Sequence, residues 1–304
     1  MIIPQAAVKA TGELPRDMHK GNAGKTLIVA GSPGMAGAAV LSARGALHSG
    51  AGIVKCGICE EILNVVQICV PEAMCVARNM NINGMIPVMN PGEFDSIAVG
   101  PGLGSGEDRF RLIINLLLDY DGPVVIDADG LNSLALYSED FTSQVCSLIR
   151  NRKGDTIMTP HPGEADRLLK AMGEENCASM GREKAARLIS ERTGAVTLLK
   201  GSHTIVAQPG EEKIYMNETG NPGMASGGSG DVLTGVIAAI LAKANAGGSS
   251  LTAFEAASAG AFIHGLAGDI AAEKIGEQGM CSGDIADNIA DAIRVINNGG
   301  NDGH

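Results

Sequence analysis

Six short runs of β-branched and aliphatic residues punctuate the chain, and most of them lack any alternation between apolar and polar positions. They are TLIVAG from Thr26, GIVKCGI from Gly52, SIAVG from Ser96, PVVIDA from Pro123, DTIMTP from Asp155 and AVTLLKG from Ala195. A strand with water on one side alternates; a strand covered on both sides does not. Between the runs lie helical segments, AGAAVLSARGALHSG, EDRFRLIINLLLDY, GEADRLLKAMG and GREKAARLISERTG, several of them stopped by glycine. Buried strands in repeated strand–helix order dictate an α/β fold: a mostly parallel, doubly wound sheet with helices on both sides. One stretch departs from this order. In SHTIVAQPGEEKIYMNE two strand-like runs flank QPGEE, which predicts an antiparallel hairpin at the sheet edge. Only helices follow, and the tail NNGGNDGH, residues 297–304, is expected to be disordered. With neither a low-complexity linker nor an internal repeat, residues 1–304 read as a single domain.

Composition narrows the function classes. Aromatic residues make up 3% of the 304 and tryptophan is absent, so aliphatic, Ala and Met side chains fill the core and stacking on nucleic-acid bases has no platform. A formal net charge of −11 also argues against a nucleic acid or an anionic membrane as partner, while leaving room for a local phosphate pocket. The longest apolar stretch, VLTGVIAAILA from Val232, falls short of the roughly 18–20 residues of a membrane span and reads as a buried helix. The N-terminus has no charged segment followed by an apolar one, so a cytoplasmic location is expected. Seven irregularly spaced cysteines fit a reducing compartment. Cys56 and Cys59 form a CxxC within an expected strand; with no second CxxC or clustered His, structural thiols are the expectation rather than a redox or metal half-site.

Ligands of such sheets bind at the carboxyl ends of the strands. Here those ends carry AGSPGMAGAA, GPGLGSGED, DADGLN, TPHPGEAD, KGSHT and GNPGMASGGSGDVLTG, enough polar and glycine-rich backbone for a nucleotide and a second sizeable ligand. Three apparent motifs fail. HKGNAGKT has His19 where a P-loop needs glycine, and it precedes a strand instead of following one. GPGLGS has Ser105 where the dinucleotide fingerprint needs its third glycine. DADGLN has Asn132 where a calcium loop needs glycine.

Three stretches retain chemistry. In GNPGMASGGSGDVLTG, Gly227, Gly228 and Gly230 can turn successive N–H groups inward at the N-terminus of a helix beginning near Val232, an anion nest reinforced by the helix dipole. Asp231 then fits two roles, a helix cap or a base that takes a proton from a hydroxyl attacking phosphorus. His161 and Glu164 in MTPHPGEADRLL stand on a strand-to-helix turn, where Pro162 and Glu164 suit plain capping and His161 faces the strand ends. Lys200 in LLKGSHT is either a phosphate ligand or a solvated strand-end lysine.

Taken in order, GNAGKTLIVAGSPGMAGAAVLSARGALHSGAGIV, VGPGLG, VVIDADGLN, TPHPGEADRLL, LLKGSHTIV and GNPGMASGGSGDVLTGVIAAIL resemble the ADP/ATP-dependent NAD(P)H-hydrate dehydratases of the ribokinase-like superfamily, in their stand-alone form. The resemblance runs from about Leu14 to about Ile296, and HPGE and NPGMASGGSGD are its specific parts. It implies a three-layer α/β/α sandwich and a cofactor-repair lyase. That enzyme phosphorylates the hydroxyl of the (S)-hydrate of NADH or NADPH with ADP or ATP, then eliminates phosphate. Carried onto this sequence, Asp231 is the base and Gly230, with Gly228 and Ser229, steadies the phosphoryl group. Lys200, Gly201, Ser202, His203 and Thr204 contact the nucleotide. Ala38, Gly102 or Gly104, His161 and Asp231 line the hydrate site, with Asn132 and Glu164 behind them. The resemblance also implies Mg2+ with the nucleotide, ADP as donor, and a homotetramer. The alternatives are a small-molecule kinase of the same superfamily, such as one acting on a hydroxyethylthiazole, and a non-catalytic nucleotide sensor.

Overall fold

The computed structural model describes residues 2–12, 16, 19–77 and 90–301. Nine strands form one sheet: β1 (Lys25–Val29), β2 (Ile53–Ile58), β3 (Met74–Ala77), β4 (Ser96–Val99), β5 (Val124–Ile126), β6 (Thr156–Met158), β7 (Val196–Leu199), β8 (Ile205–Ala207) and β9 (Tyr215–Met216). Their order is β3-β2-β1-β4-β5-β6-β7-β8-β9. All pairings from β3 to β7 are parallel, and β8 and β9 run antiparallel at the edge, with Leu199 opposite Ile205 and Ile205 opposite Met216. The hairpin expected around QPGEE is present. Strand β3 is an addition: MCVA is short and half-exposed, so it leaves no apolar run to read.

Twelve α-helices cover the sheet: α1 (Gln5–Thr11), α2 (Ala36–His48), α3 (Leu63–Cys69), α4 (Glu107–Asp119), α5 (Asp129–Tyr137), α6 (Ser147–Arg150), α7 (Pro162–Ala171), α8 (Cys177–Met180), α9 (Arg182–Thr193), α10 (Ser229–Ala246), α11 (Ala253–Ile275) and α12 (Ser282–Asn301), as counted among the described residues. Each strand feeds both layers because successive side chains point to opposite faces. Ile28, Ala98 and Val125 enter one core with α2, α10, α11 and α12. Their neighbours Leu27, Val29, Ile97, Val99, Val124 and Ile126 enter the other with α4, α5, α7 and α9. Two-sided burial is why these strands read as unbroken apolar runs. The α2–α10 contact is tight enough to explain how a core without tryptophan closes: a Cβ on Gly235 would run into the carbonyl of Ser42, and one on Gly45 into that of Val232.

Two sequence expectations are corrected. Helix α12 continues to Asn301, through the stretch from Asn297 expected to be disordered, and at Gly299 it lies so close to the segment before α1 that a Cβ there would sit 2.9 Å from Ile3. Residues 302–304 lie outside the described residues. Helix α10 starts at Ser229 rather than near Val232, because Gly228 takes the left-handed conformation (φ 93°) and serves as its N-cap.

The order reverses at β1, which has β2 on one side and β4 on the other, so the loops leaving β1 and β4 diverge. They are tied at their base: Gly31 N donates to Pro101 O (2.8 Å) and Ser32 Oγ to Gly102 O (2.9 Å).

Candidate active site

Strand β5 ends at Ile126, and the next three residues diverge. Asp127 is fully buried. Ala128 holds a positive φ of 49° with ψ −120°, a conformation costly for any residue with a Cβ. That turn sends Asp127 and Asp129 to different partners. Asp129 Oδ2 accepts from Gly104 N (2.8 Å), tying the β4 loop to the start of α5. Asp127 Oδ2 accepts from Thr234 Oγ1 on α10 (2.7 Å), while Oδ1 lies 2.5 Å from Lys200 Nζ.

Lys200 leaves the end of β7. Burial opposes its charge, but Asp127, Glu164 and Asp231 outweigh burial and hold its pKa above the ordinary lysine value. Its ammonium also lies 3.7 Å from Glu164 Oε2. A Cβ on Gly230 would come 3.1 Å from Lys200 Nζ, so glycine lets the first turn of α10 approach the ammonium.

His161 and Glu164 start α7 as a reciprocal cap. His161 Nδ1 accepts from Gly163 N (3.0 Å), and Glu164 Oε2 accepts from His161 N (2.8 Å). With Nδ1 an acceptor, the proton of the neutral ring sits on Nε2, which lies 3.2 Å from Glu164 Oε1. Burial, then the neighbouring Lys200 charge, lowers the His161 pKa. Burial raises that of Glu164 against the pull of Lys200.

Asp231 is the third residue of α10, not its cap. Burial, reinforced by the charge of Asp127 and opposed by Lys200, pushes its pKa up to about 7. A carboxylate in this state exchanges its proton near neutral pH, as a general base must. The positive end of α10 and its first-turn N–H groups lie at the same place.

These groups open on a cavity of about 710 Å³. Its wall includes Asp127, His161, Glu164, Lys200, Gly201, Ser202, His203, Thr204, Ser229, Gly230 and Asp231, so most residues singled out in the sequence share one space. Gly228, next to Ser229 in the chain, is not in this wall, and a Cβ on it would strike Leu41. Ala38, Gly102 and Gly104 are not in this wall. Ala38, in the first turn of α2, lies against Gly102 of the β4 loop, where an added Cβ would come 2.7 Å from the Ala38 methyl; the same β4 loop reaches Asp129 through Gly104 N. Asn132 accepts from Arg167 Nη1 (3.0 Å) and is likewise outside the wall.

Sequence reasoning missed Asp127, Thr234, His264 and the segment Asn217–Asn221, all at the site. His264 on α11 is buried, with Nε2 3.4 Å from Ser229 Oγ, and burial pushes its pKa down to about 4, so the ring is neutral. Asn217, Thr219 and Asn221 are held in a polar net: Asn221 Nδ2 and Gly220 N donate to Asp269, at 3.0 and 2.9 Å, and Thr219 Oγ1 donates to Phe262 O (3.0 Å).

The CxxC resolves into unrelated positions. Cys56 is buried in β2 directly opposite Cys75 of β3, and Cys59 lies beyond the strand's end. Among the described residues no group of three or more His, Cys, Asp or Glu side chains is placed to hold a metal ion. No helix among them is long and apolar enough to cross a membrane.

A family model described as NAD(P)H-hydrate dehydratase matches residues 26–291. The ADP-dependent (S)-NAD(P)H-hydrate dehydratase of Neisseria meningitidis serogroup B is 39% identical over 289 residues, 93% of this chain and 88% of that protein. The bifunctional NAD(P)H-hydrate repair enzyme of Thermofilum pendens is 37% identical over 287 residues, 92% of this chain and 52% of that protein. The chain thus spans about half the length of the bifunctional relatives it matches. Among solved structures, the Bacillus subtilis ADP/ATP-dependent NAD(P)H-hydrate dehydratase co-crystallised with ATP and Mg2+ superposes with a TM-score of 0.77 at 26% identity, covering 95% of this chain and 96% of that one. A hydroxyethylthiazole kinase of Pyrococcus horikoshii shares the fold alone, at a TM-score of 0.60 and 14% identity.

Proposed function

This chain belongs to the NAD(P)H-hydrate dehydratase family, and on that premise we propose that it removes water from the (S)-hydrate of NADH or NADPH, using ADP or ATP. The observation that carries the proposal is Asp231, a carboxylate with a pKa near 7 in the first turn of α10, on the wall that also holds Lys200 and the Gly201–Thr204 loop. Hydroxide is a poor leaving group. The Asp231 carboxylate takes the proton of the hydrate's hydroxyl as its oxygen bonds to the terminal phosphorus of the nucleotide, which departs as AMP or ADP. N–H groups of the α10 first turn, Gly230 among them, face the charge that develops on the phosphoryl oxygens. The ester then loses phosphate as the neighbouring ring carbon gives up a proton, which restores the double bond of NADH or NADPH.

In this reading the Lys200–Thr204 loop and Gly228–Gly230 receive the nucleotide. His161, Asp231, the start of α2 at Ala38 and the β4 loop at Gly102 and Gly104 receive the hydrate, with Glu164 and Asn132 behind them. Asp127 and Glu164 are both engaged with Lys200, so the described residues do not form a resident Mg2+ site. Mg2+ fits only as an ion carried on the nucleotide phosphates with most of its water, and no step here depends on it. The single nine-stranded sheet supports one ribokinase-like domain over residues 1–304. A cytoplasmic homotetramer completes the reading; exposed Val65, Ile68 and Met74, on α3 and edge strand β3, offer apolar surface of the kind subunit contacts cover.

The test is a product balance. Incubation of purified hydrate with ADP is expected to yield NADH, AMP and phosphate in equal amounts, by chromatography and phosphorus NMR. A phosphorylated hydrate that accumulates without NADH would instead identify a kinase.

A further inference from the structure

The charges facing the cavity set a problem for any phosphate. Lys200 is matched by Asp127 and Glu164, and Asp231 adds a further carboxylate. Lys200 therefore brings no unbalanced positive charge, and the phosphates must find donors elsewhere.

Arg182 supplies the answer from behind the wall. It is the first residue of α9, and its guanidinium reaches under the loop after β7. Nη1 donates to Ser202 O (2.5 Å), and Nη2 lies 3.2 Å from Lys200 O, 3.3 Å from Leu199 O and 3.4 Å from His203 O. All four acceptors are backbone carbonyls. In a trans peptide the carbonyl of one residue and the N–H of the next point in opposite directions. Carbonyls drawn inward to Arg182 therefore turn the N–H groups of Lys200, Gly201, His203 and Thr204 outward. The first of these donates to Pro160 O (2.8 Å), away from the guanidinium as the geometry requires. The other three belong to residues that line the cavity.

The loop is bent to make this possible. Gly201 has φ 141° and His203 φ 53°, and a Cβ on Gly201 would lie 2.9 Å from Arg182 Nη2. Thr204 Oγ1 donates to Gly201 O (3.0 Å), closing the bend. The Arg182 Nε is buried with no partner among the described residues, and the hydrogen bonds of its two terminal nitrogens go to carbonyls of residues 199–203.

We propose that Arg182 is a positioning residue that turns the N–H groups of Gly201, His203 and Thr204 toward the cavity as a cradle for the nucleotide's phosphates. This rests on the reading that the loop binds ADP or ATP. Arg182 touches neither substrate; it acts through four carbonyls. Lysine can replace it only in part, since one ammonium does not reach all four carbonyls that the guanidinium fork spans.

Calorimetric titration of ADP, and separately of the NADH hydrate, into the full chain and into Arg182→Gln, Arg182→Lys and Gly201→Ala tests this. Near-UV circular dichroism checks each variant's fold. R182Q and G201A are expected to weaken ADP about 10- to 100-fold and R182K less, with hydrate affinity within about twofold of wild type. A folded R182Q that binds ADP like wild type overturns the proposal. So does one that loses ADP and hydrate alike, which marks general damage. If R182Q does not fold, R182K and G201A decide by the same criteria. A wild-type chain that binds ADP yet never regenerates NADH overturns the dehydratase reading and leaves the role of Arg182 standing. A wild-type chain that binds no nucleotide overturns both.

Discussion

Lys200 and Asp127 meet at 2.5 Å in the interior of the site, although 73 positions separate them in sequence. Asp127 is fully buried and its other oxygen is taken by Thr234. Such a pair resists the removal of one partner more than the loss of both. Lys200→Met is expected to destabilise the fold by about 3–5 kcal/mol, because it leaves Asp127 buried and unpaired. The double variant Lys200→Met with Asp127→Asn is expected to recover much of that loss, as read by urea unfolding. A double variant no better than the single one would show that the pair is not energetically coupled.

Asp231→Asn keeps the shape of the side chain and removes its basicity. Turnover is expected to fall by about 10²–10⁴-fold, with nucleotide affinity little changed. Wild-type kcat/KM should rise with pH through about 7, where the Asp231 carboxyl of the free enzyme loses its proton. That rise should vanish from the residual activity of the variant.

Asp231 and His264 load the stability curve in opposite directions. The folded Asp231 pKa of about 7 exceeds its ordinary value of 3.8, so between those values the native state holds the extra proton and stability falls as pH rises. The folded His264 pKa of about 4 lies below its ordinary 6.5, so across that window the unfolded state holds the extra proton and stability falls as pH drops. In the wild-type chain the two slopes offset. Relative to wild type, Asp231→Asn should therefore be more acid-sensitive between about pH 4 and 6.5, and His264→Gln should lose stability toward neutral pH. Melting temperatures across that range check both signs.

Ala128 is held at φ 49° and ψ −120° between Asp127 and Asp129. Ala128→Gly removes a Cβ strain of about 1–3 kcal/mol, partly offset by the greater freedom of glycine in the unfolded chain. Denaturant unfolding should show a net gain of about 1 kcal/mol. A loss would mean that the Ala128 methyl contributes packing that outweighs the strain.

Much of this architecture is legible in sequence because burial on both faces leaves an unmistakable imprint on β1, β2 and β4 to β7. The hairpin is legible through QPGEE. Strand β3 is not, since at the sheet edge it buries too little to need an apolar run. The site divides in the same way. HPGE, KGSHT and GGSGD stand out because capping, strand ends and backbone turns restrict residue type locally. Asp127 hides in DADGLN because its partners Lys200 and Thr234 lie 73 and 107 positions away. His264 sits in an Ala-rich helix, where a buried histidine reads as core. Arg182 acts on backbone carbonyls, which have no side-chain signature at all.

The proposed nucleotide-dependent dehydration runs through Asp231. Its most direct test follows the nicotinamide absorbance band of NADH as purified (S)-hydrate is mixed with the protein, with ADP, with ATP and with neither. Recovery of the band is expected only with a nucleotide, and only with the Asp231 carboxylate intact. Recovery without nucleotide, or at the wild-type rate in Asp231→Asn, would contradict the account.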